Sequence, residues 1–177
     1  MPREMRKESD WPRKPRYWYL VSLVLQQEKS KKPKRKPVLV IRGGGVGDFI
    51  LILPLLEEIR RTDPQAPIQI LGHESIACLA LESGTADTVF SLDSVDLSPL
   101  FRADRSGFRN SPLSELLTGA ELVISFLGGT EGAFSENLRR LASQVRMIPA
   151  PQPNGIHAAR QFLNASGLVR PSESDIE

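Results

Sequence analysis

Short apolar runs alternate with longer amphipathic segments along the chain from Pro37 onward. The apolar runs have the length of strands, and the segments between them have helical spacing. The predicted strands are Val38–Arg42, Pro67–Leu71, Thr88–Ser91, Leu122–Phe126 and Val145–Ile148. The predicted helices are Asp48–Arg61, Glu74–Ser83, Pro112–Thr118, Ser135–Gln144 and Ile156–Ser166. This alternation predicts βαβ units and a three-layer α/β domain around a mainly parallel sheet.

A glycine cluster separates the first predicted strand from the first predicted helix. The glycines are Gly43, Gly44, Gly45 and Gly47, and Asp48 follows them directly. Ligands of open α/β sheets bind outside the carboxyl ends of the strands, and glycine lets a ligand approach the main chain closely. We therefore expect the chemistry of the protein at this junction, with Asp48 as its ionisable side chain.

The glycine cluster does not match the common nucleotide-binding loops. A dinucleotide fingerprint that starts at Gly43 requires glycine at its sixth position, where this chain has Asp48, and no Gly-Lys-Ser/Thr follows for a P-loop. Two roles remain open for Asp48 from the residues alone. It is either the N-cap of the following helix or a general base at the mouth of a cleft.

Pro54 allows two descriptions of the first helix. A helix that starts at Asp48 would lose a hydrogen bond at Pro54 and bend there. A regular helix that starts near Leu53 would instead have Pro54 in its first turn, where no N–H is needed.

Charge is distributed unevenly along the chain. Residues 1–36 hold twelve Lys or Arg and four acidic residues, whereas the remainder has an excess of acids. The apolar segment Tyr17–Leu25 is shorter than the roughly 20 residues that a membrane-spanning helix needs. The arm is interpreted as disordered and solvated, or as a peripheral anchor for an anionic membrane. A basic run alone is a weak signal for nucleic acid, and we expect no nucleic-acid binding.

The chain has one cysteine and two histidines. The single cysteine, Cys78, excludes an internal disulfide and a thiolate cluster, and its apolar neighbours indicate a core residue. His73 and His157 are too far apart in sequence to suggest a metal site. His157 is instead expected at a helix N-terminus or in the core, and no metal is expected.

A second glycine-rich segment follows the fourth predicted strand. Gly128, Gly129, Thr130 and Glu131 come directly after Leu122–Leu127. By the rule for strand ends, this segment lies at the same sheet edge as the first glycine cluster. It either lines a binding cleft there or forms a simple turn.

The stretch Arg42–Leu51 followed by Leu53-Pro54 resembles the N-terminal signature of glycosyltransferase family 9, which includes the ADP-heptose:lipopolysaccharide heptosyltransferases. The resemblance continues at Ile68–His73, Ser91–Asp93 and Leu122–Leu127, and then at Glu136–Arg140 and His157–Ala159. It covers about Val38 to Leu168. Ile52 departs from the pattern, because a threonine is frequent there.

The resemblance implies the N-terminal, Rossmann-like half of a GT-B fold, which holds the acceptor. It implies that Asp48 is the base that deprotonates the acceptor hydroxyl, and that transfer inverts the anomeric centre without a metal. A glycan or lipopolysaccharide acceptor would contact Gly43, Gly44, Gly45, Gly47, Gly128, Gly129 and Thr130. A nucleotide-sugar such as ADP-heptose would be the donor substrate, and no cofactor is expected.

Three segments are therefore expected: the basic arm at residues 1–36, the acceptor-side domain at residues 37–168 and a linker stub at residues 169–177. The donor site would belong to a further half, so we expect a truncated transferase that is inactive alone and a possible separate donor-domain partner. The alternative is a non-catalytic, acceptor-binding or interaction remnant whose basic arm tethers it to a membrane. Either protein would be cytoplasmic, or peripheral at the inner face of the cytoplasmic membrane.

Overall fold

The computed structural model describes residues 35–102 and 111–168. The strands in these ranges are β1 Val38–Arg42, β2 Ile68–Gly72, β3 Thr88–Ser91, β4 Leu122–Ser125 and β5 Val145–Met147. The α-helices are α1 Val46–Ile50, α2 Leu53–Thr62, α3 Glu74–Glu82, α4 Pro112–Gly119, α5 Ala133–Leu141 and α6 Ala158–Ser166. A 3-10 helix lies at Ser98–Phe101. Most of the predicted arm and all of the predicted stub lie outside the described residues.

The five strands form one parallel sheet in the order β3-β2-β1-β4-β5. The chain moves outward from β1 through β2 to β3 and then returns to the other side of β1 with β4. The direction of strand addition thus reverses between β1 and β4, as it does in doubly wound folds. The prediction of a Rossmann-like α/β domain with a mainly parallel sheet is confirmed.

Alternate residues of the strands pack into two helical layers. Val40, Ile70 and Ile124 belong to a core cluster that includes side chains of α1, α2, α3 and α6. Because side chains alternate across a strand, the neighbouring Leu39 and Val123 point to the other face. On that side α4 packs against α5, which also contacts β5 and the 3-10 helix. This double coverage explains why the central strands are mostly apolar.

The first predicted helix consists of two helices joined at Leu51 and Ile52. The carbonyl of Ile52 accepts the N–H groups of Leu55 at 3.0 Å and Leu56 at 3.1 Å, so Ile52 is the N-cap of α2. Pro54 therefore lies in the first turn of α2, where a missing N–H leaves no helical bond unmade. The second of the two descriptions of Pro54 is the one observed.

Asp87 connects the start of β2 to α2. Its Oδ2 accepts the N–H of Ile68 at 2.7 Å and a guanidinium N–H of Arg60 at 2.6 Å. Ile68 is fully buried, so its N–H has little access to water if the carboxylate is removed. Asp87 therefore has a structural role, because it joins the first residue of β2 to Arg60 of α2.

We expect Asp87→Ala to lower the free energy of unfolding by about 1–3 kcal/mol, because it leaves the buried Ile68 N–H without its acceptor. Urea denaturation followed by circular dichroism measures this loss. Glu58→Ala is the control, because it removes a carboxylate that is bonded to the Arg61 and Thr62 side chains of its own helix and should cost less. Equal losses in the two variants would contradict this role of Asp87.

Among the helices that the structure describes, none combines the length and the apolar character needed to cross a lipid bilayer.

Candidate functional site

The two glycine segments meet at the carboxyl edge of the sheet, between β1 and β4. Gly43 follows β1 directly, and a Cβ added to it would lie 3.2 Å from Cδ2 of Leu127, which follows β4. The N–H of Phe126 also donates to the carbonyl of Ile41 at 3.0 Å. This edge is the topological switch point, where open α/β sheets form their ligand crevice. The two loops that contain the predicted site residues therefore lie at the same edge of the sheet.

Asp48 is the third residue of α1, and Gly45 is the N-cap. Oδ2 of Asp48 accepts the N–H of Gly45 at 3.1 Å, which gives one unsatisfied N–H at the helix start an acceptor. The N-cap is therefore Gly45, and the alternative that Asp48 is the N-cap is wrong. The carboxylate nevertheless stabilises this helix start from within the first turn.

Arg42, the last residue of β1, binds Asp48 at two points. Its Nε donates to the main-chain oxygen of Asp48 at 3.2 Å, and its Nη2 donates to Oδ1 at 3.0 Å. The side chain of Arg42 is 11% exposed, whereas that of Asp48 is 53% exposed. Both carboxylate oxygens are thus held from the protein side, while about half of the Asp48 side chain remains exposed at this sheet edge.

Two aromatic rings hold the Arg42 guanidinium. Its Cζ lies 4.8 Å from the ring centre of Phe126 and 5.5 Å from that of Phe162, and these rings pack edge to face at 5.0 Å. Burial lowers the pKa of Arg42 from its ordinary value, and the charge of Asp48 opposes that shift. The guanidinium stays protonated, because an arginine is not deprotonated in proteins.

The glycines of the first loop have different structural roles. Gly44 has φ +94°, and a Cβ on it would lie 2.6 Å from Oδ2 of Asp48. Only glycine therefore allows the loop to pass this close to the carboxylate. A Cβ on Gly45 or Gly47 would have no neighbour within 4 Å. A glycine at position 44 therefore allows the observed position of Asp48, whereas Gly45 and Gly47 leave open space above the loop.

The second loop packs on a phenylalanine of α5. Gly128 has φ +81°, and a Cβ there would lie 2.1 Å from the ring of Phe134. Gly129 also has a positive φ but borders open space. The carbonyl of Thr130 accepts an N–H of Arg139 at 3.1 Å, which ties the exposed tip of the loop to α5. Glu131 is exposed beside it.

The two histidines are helix N-caps. Nδ1 of His157 accepts the N–H of Ala159 at 3.3 Å at the start of α6, which confirms the predicted helix N-terminus. His73 is the N-cap of α3, and its Nδ1 lies 3.8 Å from Oδ1 of the exposed Asp93. Cys78 is partly buried in α3. Within residues 35–102 and 111–168, no three His, Cys, Asp or Glu side chains are grouped so that they could hold a metal ion.

The sequence interpretation missed Arg42 as a site residue. The available signal was one charged residue that ends an otherwise apolar strand six positions before Asp48. Its aromatic neighbours follow β4 and lie in α6, which are far away in sequence, so the pattern around Arg42 does not predict them.

No protein-family model matches this sequence, and no curated protein matches it significantly. Among solved structures, the chain is similar to the crystal structure of the glycosyl transferase family 9 from Veillonella parvula DSM 2008. The identity is 18% and the TM-score is 0.49. The match covers 78% of this chain and 43% of the other, so this chain spans less than half the length of that structure.

Proposed function

We propose that the crevice between β1 and β4 binds the acceptor of a glycosyl transfer, and that Asp48 removes the proton from the attacking hydroxyl. One observation carries this proposal. The carboxylate of Asp48 is held by Arg42 and by the Gly45 N–H, yet its side chain stays 53% exposed at the switch point of the sheet. A fixed, accessible carboxylate at a ligand crevice has the geometry that a general base requires.

In the proposed reaction, Asp48 is the base and the donor sugar carries the leaving group. The acceptor oxygen forms a bond to the anomeric carbon of the donor sugar, and its proton passes to Asp48. The bond between that carbon and the departing phosphate oxygen breaks, and the nucleotide leaves with the electron pair. Attack from the side opposite to the leaving group inverts the anomeric centre. The nucleotide-sugar is a substrate in this scheme, and the residues of the crevice need no cofactor for it.

The glycine loops provide the room for an acceptor. A Cβ added to Gly45, Gly47 or Gly129 would meet no atom within 4 Å, so a ligand can approach the main chain closely there. Gly43 and Gly128 instead pack against Leu127 and Phe134 and fix the loops. We therefore place the acceptor hydroxyl beside Asp48 and the rest of the glycan toward Gly129 and Thr130.

The finer assignment rests on the sequence resemblance. It favours transfer from a nucleotide-sugar such as ADP-heptose to lipopolysaccharide or a related glycan, by a cytoplasmic protein at or near the inner membrane surface. In this proposal the donor binds to a separate domain that closes over the crevice. Because no donor site is proposed within residues 37–168, the isolated 177-residue chain should bind an acceptor without transferring sugar.

Calorimetry with the purified chain and a lipopolysaccharide core oligosaccharide tests this function. We expect saturable binding that Asp48→Ala weakens about tenfold, because the variant loses a charged hydrogen-bond acceptor. Asp93→Ala, which removes another exposed carboxylate at the same sheet edge, should leave the affinity unchanged. Added ADP-heptose should give no product.

The outcomes separate the proposed functions. Sugar transfer by the isolated chain would contradict the need for a separate donor domain. Binding without transfer, even when a family 9 donor-binding domain is added, would favour the non-catalytic acceptor-binding protein. That alternative is consistent with the structural bonds of Asp48 to Arg42 and Gly45. Absence of binding would contradict both.

A further inference from the structure

We infer that Arg42 is the positioning residue for Asp48, and that its fixed guanidinium decides where the carboxylate stands in the crevice. The catalytic consequence rests on the proposed function, whereas the positioning itself is a property of this chain. Arg42 does not need to touch the acceptor in this role. It acts through Asp48.

The inference starts from two bonds to one residue. Nε of Arg42 fixes the main chain of Asp48 through its carbonyl oxygen, and Nη2 fixes the side chain through Oδ1. The planar guanidinium presents both donors in a fixed relation, which an ammonium group does not. Together with the Gly45 N–H on Oδ2, these contacts define the orientation of the carboxylate.

The second step is that Arg42 itself is held. The guanidinium is 11% exposed and lies against the rings of Phe126 and Phe162. An exposed ion pair costs side-chain entropy and gains little, but a guanidinium already fixed against two rings binds its partner with less loss of entropy. The position of the Asp48 carboxylate therefore depends on how Phe126, just after β4, and Phe162 of α6 pack against Arg42.

The third step is the difference between Arg42 and the other described arginines in ion pairs (Arg35, Arg60, Arg61 and Arg140), whose side chains are 30–74% exposed. Arg61 pairs with Glu58 on the surface of α2, with its side chain 74% exposed. Arg140 pairs with Glu136 along α5 and is 54% exposed. Arg42 is buried, stacked and directed at the one carboxylate of the first glycine loop.

The amide resonance of Gly45 reports the position of the carboxylate without any ligand. In the ¹⁵N-labelled full chain, Asp48→Ala removes the acceptor of this N–H and defines the unbonded position of the resonance. We expect Arg42→Met to move the Gly45 amide most of the way to that position. Arg42→Lys should move it about half way, because the charge remains while the paired donors and the stacking are lost. Arg61→Met, the matched control, should not move it.

Acceptor binding then tests whether Arg42 acts through Asp48. We expect Arg42→Met to weaken binding of the core oligosaccharide about tenfold, which is the scale for the loss of a positioned hydrogen bond. In the double variant Arg42→Met/Asp48→Ala the affinity should equal that of Asp48→Ala alone. A residue with only a general structural role would instead weaken binding by the same factor in both backgrounds.

Each result decides one claim. A Gly45 amide that stays in place in Arg42→Met, or losses that multiply in the double variant, overturns the inference. A wild-type chain that shows the amide response but binds no oligosaccharide overturns the proposed function and leaves the positioning intact. If Arg42→Met does not fold, the Gly45 amide of Arg42→Lys decides, and an unchanged resonance in that variant overturns the inference.

Discussion

Gly128→Ala is expected to lower the free energy of unfolding by about 3–5 kcal/mol, the largest stability effect of any single methyl group added at the site. Gly128 has φ +81°, so an alanine there is strained in its backbone. Its Cβ would also lie 2.1 Å from Cδ1 and 2.3 Å from Cγ of Phe134, whose side chain is 3% exposed. The buried ring cannot move into solvent, so the free-energy cost of the clash adds to that of the backbone strain.

Gly129→Ala is the matched control for this prediction. Gly129 has φ +66°, but a Cβ there meets no atom within 4 Å. Gly129→Ala should lower the free energy of unfolding only by the cost of backbone strain, about 1 kcal/mol. Urea denaturation of both variants measures the difference, and Phe134→Leu should partly restore Gly128→Ala by freeing space. Equal losses at the two glycines would show that the packing on Phe134 is not what requires glycine.

Asp48→Asn is expected to reduce sugar transfer by about 10²- to 10⁴-fold, the usual contribution of a general base. The amide keeps the shape of the side chain and an oxygen for the Gly45 N–H, but it does not take a proton at neutral pH. Its NH2 group would face the Arg42 donor that holds Oδ1, so acceptor affinity should fall by up to the tenfold expected for Asp48→Ala, and rates at saturating acceptor report the loss of the base. The reaction contains the chain and a family 9 donor-binding domain, fused or added separately, and initial rates are compared at saturating acceptor.

A pair of glycine variants separates the charge of Asp48 from its position. Gly44→Ala keeps the carboxylate but places a Cβ 2.6 Å from Oδ2, so the carboxylate must move. Gly45→Ala adds the same methyl group where no atom lies within 4 Å. We expect Gly44→Ala to reduce transfer about 10²-fold, as misplaced reacting groups do, and Gly45→Ala to reduce it far less. Full transfer by Asp48→Asn would contradict the role as a base, whatever the glycine variants do.

The strands were predictable because their apolar runs are bounded by glycine, proline or charge. β1 and β3 have the predicted bounds, and the other strands differ by one residue at their ends. β4 ends at Ser125 rather than Phe126, although the Phe126 N–H still donates to Ile41, and the Phe126 ring packs on Phe162 and Arg42. Strand ends depend on such tertiary contacts, which a local pattern does not contain.

The helix at the site was harder to predict. An apolar stretch from Phe49 to Leu56 fits one bent helix or two separate ones, since proline is compatible with a kink and with a first turn. The choice depends on the Ile52 carbonyl, which caps α2 in the folded chain. As a result, Asp48 belongs to a short separate helix whose N-cap is Gly45.

The candidate base was visible in the sequence, but its partner was not. Asp48 follows four glycines at the end of a strand, and this local pattern is sufficient to mark it. Arg42 becomes a site residue only because the chain brings Phe126 and Phe162 against it from distant elements. Side chains that act through tertiary packing carry no local signature.

The most direct test of the account is a chemical-shift map of the ¹⁵N-labelled chain during titration with the core oligosaccharide. If the crevice between β1 and β4 binds the acceptor, the largest changes occur at Gly44, Gly45 and Gly129. In Asp48→Ala the same residues should respond at about tenfold higher ligand concentration. Changes confined to another surface, or the same titration curve in Asp48→Ala, would contradict the claim that Asp48 receives the acceptor hydroxyl.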